Sequence, residues 1–462
     1  MTDDDRSPIS TAVPDGCNAL PQTLLGAAVA HGRRLMTSER SGIASTIQTL
    51  VQSSIVLIIN FSTGVVAART LGPTGRGELT AMVVWPQLFA WAMLMGLPQA
   101  LIYNIRTDRS RGIRLVPTAL LLGFLGGCVA GMLIVPHWLG RYDEHVARLA
   151  QWALLLAPVS TISTILAGVL QASDRFRLFN RITLLTPLLT LVTLAGLLAA
   201  GLLSPRSAAL AYLLPSLPVL GWTIWATYRV CPWEGGFRLS AAKRLLSYGS
   251  RVWGSDLLNV LGTQTERALL VGLLAPSALG VYVIAQSLVQ PLAIIQASIV
   301  TTLFPRSAGR TLEQAKALAG LAIRVNLVVV TFAAVLLVFA APVVLRVFFG
   351  QAFAGAIGPV RIFAANSVLD AVNVLSIQFF YAAGRPGAVI GIQALAVTIL
   401  LSAILILVPL WGPQGAAVAW FLSSIVKLLA IGCCFPLLFR TRPPSLVLSR
   451  RDVVEVAAKL RH

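Results

Sequence analysis

Apolar stretches of roughly twenty residues or more recur along this chain, separated by short polar breaks. As a helix, a stretch of that length crosses a hydrocarbon core of about 30 Å, and about twelve such spans are predicted. They fall near residues 43–68, 79–104, 114–138, 147–172, 182–203, 207–229, 246–274, 279–304, 317–342, 355–383, 387–410 and 414–438. The expected fold class is an all-α polytopic membrane protein in two six-helix lobes. An even number of spans per lobe makes each lobe enter and leave on the same side, so the lobes are parallel repeats about an axis along the membrane normal. The expected organisation is a tail over 1–42, an N-terminal lobe over 43–230, a linker over 231–245, a C-terminal lobe over 246–438 and a basic tail over 439–462.

The polar breaks repeat as well. Leu71-Gly72-Pro73-Thr74-Gly75-Arg76-Gly77 is echoed 203 residues later by Leu274-Ala275-Pro276-Ser277-Ala278-Leu279-Gly280. At the same offset Gln87 falls on Gln290 and Ala90 on Ala293. A second echo sets Pro205 to Tyr212 against Pro413 to Trp420. Two halves on one plan in so apolar a chain point to a transporter whose substrate passes between them. Prolines inside the spans (Pro86, Pro98, Pro158, Pro187, Pro215, Pro218, Pro291, Pro342 and Pro409) are expected to bend helices around a central space.

Composition sharpens this picture. Of 462 residues 56% are hydrophobic and 11% charged, against about 25% charged in soluble domains. The net charge of +19 does not indicate nucleic acid, because the basic residues alternate from loop to loop. Arg106, Arg109, Arg111 and Arg114, then Arg175, Arg177 and Arg181, then Arg238, Lys243, Arg244 and Arg251, lie on one side with the basic C-terminal tail. The opposite side keeps Arg69, Arg76, Arg141, Arg148, Arg206, Arg267, Arg346 and Arg361. This positive-inside bias predicts both termini in the cytoplasm. It also places the doubled motif at the outer surface, joining spans one to two and seven to eight.

Several chemistries find no support. None of the four lysines precedes Ser or Thr, so no phosphate-cradling Walker loop is present. Four histidines and five cysteines show no metal-ligand spacing. No cofactor and no metal is expected. The outer connections are too short to hold an enzyme site, which disfavours a glycan polymerase or glycosyltransferase. The acidic start at Asp3, Asp4 and Asp5 and the short apolar run after it argue against a cleaved signal peptide.

The polar residues inside spans are the candidate site. Asp256, Asn259, Thr263, Glu266 and Arg267 recur at spacings of three to four, which puts them along one face of the seventh span. A carboxylate at mid-membrane costs at least about 2.5–3.5 kcal/mol and therefore faces a partner or water. Asp256 is expected to face the cavity or to pair with a neighbouring helix, and Glu266 to pair with Arg267. Asp370 and Lys427 are the other deep charges; they either neutralise one another or form a cation- or proton-responsive site. Asn60, Gln87 and Gln290 are expected to line the passage, with Gln52, Gln99, Gln286, Gln296, Asn366, Asn373 and Gln378 as further amides. Amides suit sugar hydroxyls, and arginines suit phosphate. At the inner rim Arg106, Arg111, Arg175, Arg251 and Arg306 could collect a diphosphate.

Three segments carry a family resemblance. Ala68-Arg69-Thr70-Leu71-Gly72-Pro73 followed by Gly75-Arg76-Gly77, Gly280-Val281-Tyr282-Val283-Ile284-Ala285 followed by Leu303-Phe304-Pro305-Arg306, and Gly168-Val169-Leu170-Gln171-Ala172-Ser173-Asp174-Arg175-Phe176 resemble the polysaccharide (Wzx-type) flippases of the multidrug/oligosaccharidyl-lipid/polysaccharide (MOP) exporter superfamily. The likeness runs from about residue 43 to 438. It implies a V-shaped twelve-helix fold in a bacterial inner membrane, alternating between inward- and outward-open states. It also implies an undecaprenyl-diphosphate-linked glycan as cargo, with membrane lipids, a polysaccharide polymerase and other export machinery as partners. A cation-coupled multidrug exporter on the same fold, with Asp256 or Asp370 as coupling site, is the alternative. One departure stands out: Asp256, Asp370 and Lys427 do not make the cationic cavity expected of a lipid II-type flippase.

Overall fold

Helix α1 runs Gln22–Met93, and its stretch Val51–Met93 alone is 43 residues of membrane-compatible sequence. That is about twice what a bilayer needs at 1.5 Å per residue. The excess is resolved at Gly72, whose φ of 67° and ψ of −177° break the helix. Glycine alone enters this region without a steric cost, and Pro73 restarts the helix with a preset φ.

The computed structural model describes residues 22–132, 139–140, 142–307, 312–439, 441 and 444, and omits the side chains of 22–50, 251–252, 254–257, 259–261, 263, 298–307, 312, 315 and 382. The chain divides into two compact units, Met1–Thr49 and Leu50–His462. The first is helical backbone from Gln22. The second continues α1 and then holds α2 (Leu97–Thr107), α3 (Arg109–Ile113), α4 (Val116–Met132), α5 (Glu144–Leu154), α6 (Ala157–Ala172), α7 (Phe176–Ala199), α8 (Pro205–Leu213) and α9 (Ser216–Val230). After the polar segment at 231–238 come α10 (Leu239–Val260), α11 (Glu266–Leu273), α12 (Pro276–Ser307), α13 (Leu312–Val344), α14 (Ile357–Ala382), α15 (Pro386–Trp411) and α16 (Pro413–Phe439).

There is no strand among the described residues, in line with the all-α expectation. Nine helices there are long and apolar enough to cross a membrane, or ten if α5 and α6, bent by 42°, form one span. The stretch of α1 from Val51 counts once although it breaks at Gly72. The count is of the described residues, and α10–α11, described only in part, carries a π-helical turn at Leu261–Thr265.

The prolines act unequally. Pro98 and Pro158 sit in the first turn of α2 and α6, and Pro215 separates α8 from α9, so these interrupt spans. Pro86, Pro187, Pro342 and Pro409 lie inside helices that continue past them.

Both echoes become packing surfaces. Ala208, Ala209 and Ala211 on α8, and their counterparts Ala416, Ala417 and Ala419 on α16, are all buried in one cluster with Met82, Trp85, Leu270 and Tyr282. Small side chains there let helix backbones approach, the usual basis of close packing in lipid. The doubled turn is tighter still. A Cβ on Gly77 would collide with the Pro276 carbonyl, and one on Gly280 with the Pro73 carbonyl. The two copies therefore meet each other reciprocally, each glycine clearing the other copy's proline.

Candidate functional site

A cavity of about 250 Å³ lies between these helices. Beyond Gly72, α1 presents Arg76, Thr80, Val83, Val84 and Gln87 to it, spacings that keep one helical face turned the same way. Helix α12 presents Val283, Gln286, Ser287 and Gln290. These four stand 203 residues after Thr80, Val83, Val84 and Gln87, so the lining is doubled at the offset of the motif. Asn60 on α1, Tyr212 on α8 and Arg267 on α11 complete the polar part. Three of the expected passage residues, Asn60, Gln87 and Gln290, are thus brought together. None of their amides has a protein hydrogen-bond partner among the described residues.

Two guanidinium groups share the space. Arg76 donates from Nη1 to the Tyr212 hydroxyl at 3.3 Å and stands 5.9 Å from that ring's centroid, while its buried Nε has no partner. Arg267 donates from Nη2 to Oε1 of Gln286 at 3.2 Å. Neither makes an ion pair among the described residues. Unpaired cations inside a membrane are costly, so water or an anionic ligand must answer them.

The expected Glu266–Arg267 pair makes no direct salt bridge among the described residues, although the Arg267 charge still acts on the Glu266 carboxyl. Glu266 is fully buried, accepts a hydrogen bond from the Tyr282 hydroxyl, lies beside the Trp420 indole and keeps Oε2 unpartnered. Its neighbour Arg267 turns to the cavity because successive residues lie about 100° apart around a helix. The π-helical turn at Leu261–Thr265 also breaks the single face expected for the seventh span, since it changes the helical period midway. The side chains of Asp256, Asn259 and Thr263 lie outside the described residues, as do those of Arg251 and Arg306.

Asp370 does not pair with Lys427 among the described residues. Asn366 donates to its Oδ2 at 2.9 Å and Ser424 to its Oδ1 at 3.0 Å. These bonds draw Asp370 into the contact between α14 and α16. Several expected passage amides are likewise spent on helix packing: Gln52 bonds the Asn180 carbonyl, Gln296 that of Ser367 and Asn373 that of Ser424. Of the expected rim arginines, Arg106 pairs with Asp174 at 3.2 Å and Arg111 with Asp108 at 3.2 Å, all largely exposed. Arg175 is exposed at the start of α7. Among the described residues, no site gathers Arg106, Arg111 and Arg175.

Sequence reading counted Arg76 and Arg267 among the charges of outer loops and span ends; it set Arg267 on one face of the seventh span as a partner of Glu266, and it missed the place of Arg76 in the cavity. The signal was available: Arg76, Thr80, Val83 and Gln87 follow helical spacing into a span, and Gln87 had already been singled out.

The sequence model of a family described as polysaccharide biosynthesis protein matches residues 66–358. No curated protein matches by sequence. Among solved structures, the lipid II flippase MurJ in an inward closed conformation is similar at TM-score 0.72 and 11% identity, over 89% of this chain and 90% of that one. A multidrug resistance MATE family transporter of the MOP superfamily, inward-facing, is similar at TM-score 0.66 and 15% identity, over 84% and 96%. A MOP superfamily transporter from Pyrococcus furiosus is similar at TM-score 0.59 and 13% identity, over 87% and 96%. At such identities the likeness is one of fold, and function has to be argued from the site.

Proposed function

The chain belongs to the polysaccharide biosynthesis protein family, with the fold of MOP superfamily transporters, and on that premise we propose that it flips an undecaprenyl-diphosphate-linked oligosaccharide across a bacterial inner membrane by alternating access. The observation that carries this reading is the doubled cavity. Equivalent positions on α1 and α12 face one space, with free amides at Asn60, Gln87 and Gln290 and guanidinium groups at Arg76 and Arg267 that make no direct ion pair among the described residues. Amides offer paired donors and acceptors to sugar hydroxyls. The arginines suit a negative charge on the cargo, whether diphosphate or acidic sugar. Moving such an anion outward gains about 2.3 kcal/mol per charge per 100 mV of inside-negative potential.

Counting α1 twice across Gly72, α5–α6 once and α10–α11 once gives twelve crossings in two six-helix lobes, 43–230 and 246–438, with both termini cytoplasmic. In this reading the doubled turns form the outer seam between the lobes. The cavity's described lining carries no carboxylate beside its two cations, which favours an anionic cargo over the organic cations of a multidrug exporter. Asp256 and Asp370 remain its candidate coupling groups.

The test is outward flipping of undecaprenyl-diphosphate-linked oligosaccharide in proteoliposomes. Wild type should flip it, and Gln87→Ala with Gln290→Ala should slow flipping by about tenfold or more. Transport of lipophilic cations with no movement of the glycolipid would sink the reading.

A further inference from the structure

We propose that Trp91, Gln99, Gln171 and Trp253 form a second sugar subsite, for an uncharged ring of the cargo, on the inner side of the central cavity. It rests on the glycolipid reading above and extends it. These residues line a separate cavity of about 180 Å³ between the end of α1, α2, α6 and α10.

The backbone builds this pocket. Between α1 and α2 the chain turns through Gly96, at φ 70°, and the turn lies directly against α10: a Cβ on Gly96 would collide with the Gly249 carbonyl, and one on Gly249 with that of Met95. Four residues beyond Gly249 on the same face of α10 stands Trp253. The approach of two glycines therefore carries an indole from the second half of the chain over a pocket walled by the first. Trp91, 40% exposed, supplies another indole from the end of α1.

The chemistry of the lining selects the ligand. A pyranose presents patches of C–H hydrogens, slightly positive, that meet the negative face of an indole. Its hydroxyls donate and accept, and the side-chain amides of Gln99 and Gln171 do both. Neither amide has a protein partner among the described residues. A lipid tail would leave two amides unsatisfied, and an organic cation would find no carboxylate in this lining. Gln99 lies twelve positions beyond Gln87, on the far side of the turn at Gly96. An oligosaccharide of several rings can occupy both places, its charge among the arginines and a neutral ring between the tryptophans.

The experiment compares two probes on the purified full chain: undecaprenyl diphosphate, and the same lipid bearing an uncharged glucose disaccharide. The quantity read is the gain in affinity that the sugar confers. Trp253→Ala and Gln99→Ala should each cut that gain about tenfold, Trp253→Phe by less than threefold, and none should alter binding of the sugar-free lipid. That unchanged binding shows the variants folded. If the gain survives in Trp253→Ala and Gln99→Ala but falls in Gln87→Ala, the second subsite is wrong and the transport reading stands. If both probes weaken together in the Trp253 variants, the pocket holds lipid instead. If wild type shows no gain from the sugar, the subsite and the glycolipid reading fall together.

Discussion

Gly77 of the first motif copy lies against the backbone carbonyl of Pro276 in the second, too close to admit a Cβ, and Gly280 repeats the contact on Pro73. A repeat that looked like two separate turns is one self-complementary junction. Gly77→Ala or Gly280→Ala forces backbones apart, an overpacking cost of about 1–3 kcal/mol. The expected result is a population shift toward states open at that junction. It can be read as faster labelling of a cysteine placed at Thr80, by an impermeant maleimide added outside, in a background lacking the native cysteines. Unchanged labelling in both variants would mean the junction does not hold the cavity closed.

Arg76 and Arg267 should behave as ligands of a negative charge. Replacing either with Gln removes a charge-assisted hydrogen bond worth about 1.5–3 kcal/mol, so affinity for an undecaprenyl diphosphate lipid should fall by roughly ten- to a hundredfold. Arg→Lys should restore only part of it, because an ammonium lacks the planar fork. Full activity in the Arg76→Gln, Arg267→Gln double variant would remove both from the site.

Tyr282 and Glu266 make a different kind of prediction, about stability. Tyr282→Phe strips the donor from a fully buried carboxyl and should cost about 1–3 kcal/mol. Glu266→Gln retains an acceptor oxygen for the Tyr282 hydroxyl and should cost less. Thermal unfolding in detergent gives the order; the reverse order would show that this hydrogen bond does not anchor α11 to α12.

Asp108 gives a pH dependence outside the spans. It caps α3, accepting from the Ser110 hydroxyl and from the backbone N–H groups of Ser110 and Arg111. The Ser110 hydroxyl first, then the Arg111 amide, hold its carboxyl below the usual range. A depressed folded value means the cap contributes fully above the unfolded carboxylate value of about 3.9 and is lost as pH falls through the lower folded value. Protection of the Ser110 and Arg111 amides against hydrogen exchange should therefore hold down to about pH 4 and drop below it. In Asp108→Asn that drop should vanish.

Much of this was legible because helical spans announce themselves by length and hydropathy, and because the halves share a register. The shared offset of Gln87 and Gln290 singled out two amides that line one cavity. Arg76 escaped because its loop-like neighbours, Gly72, Pro73 and Gly75, suggested a polar turn. The helix in fact restarts at Pro73, which carries Arg76 round to the face of Gln87. Glu266 and Arg267 make no direct salt bridge because adjacency in sequence is not adjacency around a helix: Glu266 meets Tyr282 and Arg267 faces the cavity. The commitments of Gln296, Asn373 and Asp370 to neighbouring helices could not be read at all, since they depend on which helix lies alongside.

The reversal at Gly72 has a practical side. The chain turns back within a single residue rather than through a loop, and the strand of sequence that follows is wedged against Pro276 and Gly280. An epitope or fluorescent reporter inserted there would prise the two motif copies apart, so its position would report on a broken protein. Topology at this turn has to be mapped with probes no larger than a side chain.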